Sequence, residues 1–209
     1  MNFKHFISKI DDYKIAALGG INAQFKMAPK LRLKYNKDII KANNPRKASV
    51  LALFYPNENN EMVLLLTQRA SYNGTHSAQI SFPGGKIEKN DKNLEATALR
   101  EAFEEVGVLP SIVKIVKELT DVYIPPSNFL VTPFIGFLNK RPNLKPNHEV
   151  AKIIEITVND LLNDDNLTVV NLTTSYMKNT DVPCFKIDNH IIWGATGMML
   201  SEIKELLLQ

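Results

Sequence analysis

The chain has 209 residues, 44% of them apolar and 22% charged, with 9 Gly, 11 Pro and a single cysteine. Those proportions exclude a disordered tail and a fibrous repeat, and the length suits one full domain with decorations. The longest unbroken apolar runs, residues 50–55 and 62–66, are far shorter than the roughly 18 to 20 residues that cross a bilayer, so no membrane anchor is expected.

Asp11 and Asp12 interrupt the N-terminus before a secretory apolar stretch develops, which with the lone Cys184 points to a reducing, cytoplasmic setting. The net charge of +3 hides an asymmetry: residues 1–47 hold eleven basic residues against three acidic ones, leaving residues 48–209 net acidic. A basic flank on an acidic body suits an anionic ligand; a solvated face is the alternative reading.

In chain order, Phe3, Phe6, Ile7 and Ile10 recur at helical spacing and predict a short amphipathic helix that Gly19-Gly20 ends or interrupts. Residues 49–55 and 61–69 predict a β-hairpin, with Pro56, Asn57, Asn59 and Asn60 supplying its turn. Residues 78–82 read as extended and run into a Pro83-Gly84-Gly85 loop. Asn93 or a polar neighbour caps a helix running to about Val106, where Gly107 stops it. Strands are expected over 112–119, 131–138, 153–158 and 183–192, with a short helix beginning at Asn159-Asp160. Met199, Leu200, Ile203, Leu206 and Leu207 form an apolar helical stripe at the end. The pattern implies an α/β protein, a mixed sheet flanked by helices.

The chemistry concentrates on the helix near residue 100. Leu99, Ala102, Phe103 and Val106 follow the helical repeat and define an apolar face, which puts Glu101, Glu104 and Glu105 on the opposite arc. Three neighbouring carboxylates repel one another unless cations neutralise them, and carboxylates suit Mg²⁺ where Zn²⁺ would require His or Cys. A solvated acidic surface is the plain alternative.

Gly85, Asp91, Arg100, Glu101, Glu104, Glu105 and Gly107 together resemble the Nudix box, with Asp91 where that family usually has Glu and one extra residue before Arg100. The resemblance implies a Nudix-type α/β/α sandwich over residues 48–209, preceded by a basic helical extension over 1–47. It also implies Mg²⁺- or Mn²⁺-dependent hydrolysis of a nucleoside diphosphate derivative. By the same analogy Glu101 and Glu105 are the main metal ligands, Glu104 lies nearby with a backbone carbonyl at Gly84 or Gly85, and Arg100 orients the glutamates. Glu149 stands where some members place a catalytic base.

Leu65-Leu66-Thr67-Gln68-Arg69 and Phe82-Pro83-Gly84-Gly85 are similar to the signature of the coenzyme A pyrophosphatase branch, in which the extra residue of the box is also usual. Pro126-Ser127, Val131-Thr132-Pro133 and 192–196 resemble later stretches of that branch, whereas Ala70, Gly74 and Ala78 depart from it. The substrate implied is coenzyme A or an acyl derivative, giving 3′,5′-ADP and (acyl-)4′-phosphopantetheine. Its phosphates need cations away from the metal. Arg69 is one candidate, Arg46 and Lys47 are others, and His76 and Phe82 join the expected substrate contacts. Cys184 reads as a small buried hydrophobe and Trp193 as an anchor for the last helix or a platform for adenine. ADP-ribose or NADH, or a non-catalytic nucleotide-binding regulator, are the rival readings. RNA is disfavoured because basic and aromatic residues do not interleave. A homodimer is one assembly the sequence leaves open.

Overall fold

The computed structural model describes residues 1–70, 79–174 and 177–209, and of Leu31 and Leu33 the backbone alone. The N-terminal stretch predicted as one helix is three: α1 (Phe3–Ser8), α2 (Ile10–Ile15) and α3 (Gly20–Phe25). The side chain of Asn2 caps α1 by accepting from the His5 amide, and Gly20, with φ of 61°, starts α3 rather than ending its predecessor. A short 3-10 turn (Lys30–Lys34) and α4 (Lys37–Ala42) lead into the sheet.

The predicted hairpin is β1 (Arg46–Pro56) and β2 (Met62–Arg69), followed by β3 (Ile80–Ser81) and β4 (Gly84–Lys86). Its turn works through Asn57, whose side-chain oxygen accepts from the Asn59 and Glu61 amides. Next come α5 (Leu94–Val106), β5 (Lys114–Glu118), β6 (Val122–Ile124), β7 (Phe129–Phe137), β8 (Val150–Thr157) and α6 (Val158–Leu162). The chain closes with β9 (Leu167–Thr174), β10 (Met177–Ile187), β11 (His190–Trp193) and α7 (Gly194–Leu207). The single strand expected over 183–192 is thus a hairpin turning at Asp188, whose φ is 51°, and β9 is a strand that the sequence reading leaves unassigned.

Among the described residues, eight strands form one mixed sheet and β11-β10-β9 a second, antiparallel one. β1 pairs parallel with β7, while its two halves take different antiparallel partners on the other edge, β4 near Ser49 and β2 near Tyr55. β2 therefore parts from β1 toward β8 and β3, and an opening forms where they diverge.

Both faces of the sheet are covered, which explains why β1 is a continuous apolar run rather than an alternating one. Leu51, Leu53 and Tyr55 pack with Ala98, Ala102 and Val106 of α5; Ala52 and Phe54 pack with Phe6, Met199 and Ile203 on the other side. The ring of Phe6 lies 5.2 Å from that of Phe54 and 6.2 Å from that of Phe137, so the N-terminal extension shares this core. A fully buried carboxylate, Glu202 of α7, further binds the extension, accepting from the Gly20 amide (3.1 Å), Gln24 (2.9 Å) and Thr120 (2.6 Å).

Candidate active site

Helix α5 is built as its sequence dictates. The Asn93 side chain accepts from the Ala96 amide at 2.8 Å, and Gly107, left-handed at φ of 77°, closes the other end by donating to the Phe103 carbonyl at 2.9 Å. Its buried residues are Thr97, Ala98, Ala102, Glu105 and Val106, whereas Phe103 is 46% exposed. The apolar face predicted from periodicity is therefore rotated, and Glu105, expected on the wet arc, is 6% exposed. The cause is β4, which packs beside the helix and offers glycine backbone in place of side chains. A Cβ on Gly85 would collide with the Glu101 carboxylate, and one on Gly84 would overlap the Ser49 carbonyl and Val50.

Burial pushes the Glu105 carboxyl up to about 7; Arg69 and the Gly84 amide, 3.4 Å from Oε2, pull it down, while Glu101 raises it further. Burial also raises Glu101, against the pull of Arg100. Arg100 ties this end together. Its Nε and Nη2 lie 3.0 and 3.1 Å from the two oxygens of Asp91, its Nη1 lies 3.0 Å from Glu101 and 2.9 Å from Glu104, and Nη2 also donates to the Lys86 carbonyl at 3.1 Å.

Of the sequence-predicted metal ligands, Glu101, Glu105 and Gly85 come together. Glu104 is exposed and turned toward Arg100. Among the described residues no three acidic, His or Cys side chains close on one point, so the pair Glu101–Glu105 needs backbone carbonyls, water or substrate oxygens to complete a cation's shell. That donor set fits Mg²⁺ or Mn²⁺, which keep several waters and take one or two carboxylates. Burial is the main cause of the raised Glu105 carboxyl, and a cation would offset it together with the smaller repulsion from Glu101.

Arg69 and Glu149 meet across the β2–β8 ladder, Nη2 to Oε2 at 3.0 Å, and the Ala70 amide donates to the Glu149 carbonyl at 2.8 Å. Both touch the acidic pair electrostatically: Arg69 lowers Glu105, and Glu149 raises Glu101 and Glu105. Arg69, expected at a phosphate remote from the metal, thus sits at the acidic end. Arg46 and Lys47 do not line the site; Arg46 stacks over the Phe129 ring at 4.1 Å and donates to the Ser127 carbonyl at 2.9 Å. His76, with Gly74 and Ala78, lies outside the described residues.

These groups open onto a cavity of about 790 Å³ lined by Arg69, Phe82, Gly84, Gly85, Glu101, Glu105 and Glu149 at one side. Sheet residues such as Val50 and Val131 and the 124–127 turn line its middle, and Arg32, Lys34 and Tyr35 of the basic extension and Trp193 and Thr196 from the C-terminal elements line it as well. Arg32, Lys34 and Tyr35 were not singled out in the sequence, where the excess of charge over residues 1–47 was the only signal. Trp193 immediately precedes α7, pairs with Cys184 across the β10–β11 ladder and lines the cavity. Cys184 is fully buried, with its thiol pushed up by burial.

Residues 45–172 match the family pattern described as the NUDIX domain. The chain is 34% identical over 125 residues to Nudix hydrolase 15, mitochondrial, of Arabidopsis thaliana, covering 58% of this chain and 44% of that one. It is 33% identical to Nudix hydrolase 22, chloroplastic, of the same plant, over 75% of this chain and 53% of that one, so it spans about half the length of these plant relatives. It is 32% identical to the Uncharacterized Nudix hydrolase NudL of Photorhabdus laumondii over 68% of this chain and 75% of that one. A solved MutT/nudix family protein from Enterococcus faecalis shares the fold, with a TM-score of 0.55 and 14% identity over 97% of this chain and 74% of that one. The helix with its clamped glutamates, the glycine strand beside it and the mixed sheet beneath lie within the matched residues, and the chain belongs to the Nudix family.

Proposed function

We propose that the protein is a divalent-metal-dependent diphosphatase that cleaves coenzyme A or acyl-coenzyme A to 3′,5′-ADP and (acyl-)4′-phosphopantetheine. The observation that carries this reading is the pair of half-buried Glu101 and buried Glu105 against Gly84-Gly85, at the end of a cavity of about 790 Å³. That volume lies within the range of roughly 300 to 1,000 Å³ common for small-molecule sites.

Glu101 and Glu105 would hold the cation, with the Gly85 carbonyl beside them and Glu104 at the margin. When bound, it polarises phosphoryl oxygens, stabilises the leaving phosphate and acidifies water. Arg100 keeps the glutamates aimed, and it does so with a guanidinium already fastened to Asp91 and Lys86. Glu149 accepts the proton of the attacking water at a carboxylate oxygen, and Arg69 holds that carboxylate while facing the diphosphate. Phe82 walls the substrate, and His76 is the remaining proposed phosphate contact. The setting we propose is the cytoplasm; no helix among the described residues is long and apolar enough to cross a membrane.

The test is incubation with coenzyme A, ADP-ribose and NADH under Mg²⁺ and Mn²⁺, with products identified by mass. Coenzyme A should turn over fastest, to 3′,5′-ADP and 4′-phosphopantetheine. Faster cleavage of ADP-ribose or NADH would replace the substrate, and no cleavage of any of them would point to a nucleotide-binding regulator.

A further inference from the structure

Two acids at the reacting end belong to distant elements, Glu105 to α5 and Glu149 to the segment that enters β8, and one residue touches the backbone of both. Residues 138–149 run without helix or strand across the C-terminal end of α5, where the last carbonyls have no partner inside the helix. The Lys145 amide donates to the Val106 carbonyl and the Asn147 amide to the Glu105 carbonyl, each at 2.9 Å. Pro146 between them has no amide to place, and its ring disfavours a helical Lys145, so alternate residues meet the helix end. The start of the segment is pinned as well: Arg141 donates to Glu155 of β8 at 2.9 Å, and the same carboxylate accepts from the buried Tyr55 hydroxyl at 2.6 Å.

Asn147 then turns the chain into β8. Its side-chain Oδ1 accepts from the Glu149 amide at 2.9 Å, and its carbonyl accepts from the Val150 amide at 3.3 Å. Asn favours this short turn because its side chain bonds the backbone two residues on. The turn matters here because the β2–β8 ladder shifts register between Gln68 and Arg69, and such a bulge re-aims the side chains beside it. Glu149 is held at three points: its amide by Asn147, its carbonyl by the Ala70 amide at 2.8 Å, and its carboxylate by Arg69 at 3.0 Å. The first of these leads back to α5 through the Glu105 carbonyl.

We infer that Asn147 is a positioning residue, which sets the Glu149 carboxylate relative to the Glu101–Glu105 pair by joining the Glu105 carbonyl to the Glu149 amide. A misplacement of about 1 Å at a reacting group costs on the order of a hundredfold in rate. The carboxylates of Glu101 and Glu105 stand on α5 and keep their place whatever side chain occupies position 147. This inference rests on the reading of Glu149 as the base, and its test separates the two. The full chain is compared with Asn147→Ala, Asn147→Ser, Glu149→Gln, and Asn147→Ala combined with Glu149→Gln.

In the metal-free proteins, hydrogen exchange followed by NMR should show the Glu149 amide exchanging about tenfold faster in Asn147→Ala, and Asn147→Ser, whose hydroxyl supplies an acceptor again, should restore much of the protection. With Mg²⁺ and coenzyme A, Asn147→Ala should lower kcat about ten- to a hundredfold with KM changed by no more than about twofold, and Asn147→Ser should recover most of the loss. The rise in Tm with metal should keep its wild-type size. In the Glu149→Gln background the alanine substitution should cost nothing further, because it acts through the carboxylate already removed. An unchanged Glu149 amide, or an equal loss of kcat with and without the Glu149 carboxylate, overturns the inference. A rate that falls in Glu149→Gln but not in Asn147→Ala overturns it and leaves the base; a rate that falls in neither overturns both.

Discussion

The carboxylate of Asp91 holds the guanidinium of Arg100 edge to edge, Oδ1 to Nε at 3.0 Å and Oδ2 to Nη2 at 3.1 Å. Asp91 also accepts from the Thr97 hydroxyl at 2.9 Å and the Glu88 amide at 2.8 Å. The shorter acid and the extra residue before Arg100 therefore leave the clamp on the glutamates intact.

That clamp has a pH signature. Arg100 holds the Asp91 carboxyl at about 2, below its ordinary 3.8, so its contribution to stability is present above the ordinary value and is lost as pH falls toward 2. Urea midpoints of the wild type and Asp91→Asn should differ near neutrality and converge as pH falls from about 5 to about 2. A gap that stays constant to the acid end would contradict the pair's electrostatic role. The same substitution should lower kcat about tenfold, because Arg100 then loses one of the groups that aim it.

Glu105 titrates in the opposite sense. With its carboxyl raised from 4.5 to about 7, the metal-free protein should be most stable below the ordinary value and lose of the order of 3 kcal/mol as pH climbs through about 7. Glu105→Gln should flatten that slope in calorimetric melts without metal, and in the presence of Mg²⁺ should cut hydrolysis by orders of magnitude. Retention of half the wild-type rate would show that Glu105 holds no cation.

Metal should stabilise the fold. Millimolar Mg²⁺ or Mn²⁺ relieves the repulsion between Glu101 and Glu105, so the melting temperature should rise with metal concentration, and the rise should shrink in Glu101→Gln. Gly85→Ala, which pushes a methyl group into the Glu101 carboxylate, should shrink it too. Thermal scans across a metal series decide the matter; parallel rises in all three proteins would exclude this pair as the binding site.

Arg69→Ala should lower kcat/KM for coenzyme A and for dephospho-coenzyme A by similar factors, about ten- to a hundredfold. The reason is its place, 3.0 Å from Glu149 and beside Glu105, at the reacting end of the cavity. Steady-state rates on the two substrates read this directly, and a loss confined to coenzyme A would move Arg69 to the distal phosphate.

The sequence by itself determined the elements whose causes lie within a few residues. Asn93 and Gly107 bound α5 through hydrogen bonds to their own helix, Asn57 shapes the β1–β2 turn through the next four residues, and the spacing from Gly85 to Gly107 carries the family. Only the tertiary structure decided which way α5 faces. Periodicity weighs apolarity alone, so it put Phe103 inside and Glu105 outside, whereas the bare backbone of β4 admits carboxylates where side chains would have excluded them. Arg69 and Glu149, 80 positions apart, meet because of the register of β2 against β8, which no local pattern specifies. The basic flank showed its charge in the sequence, but Arg32 and Lys34 reach the cavity, and Arg46 does not, because core burial of Met27 and Ala28 sets where that segment lies.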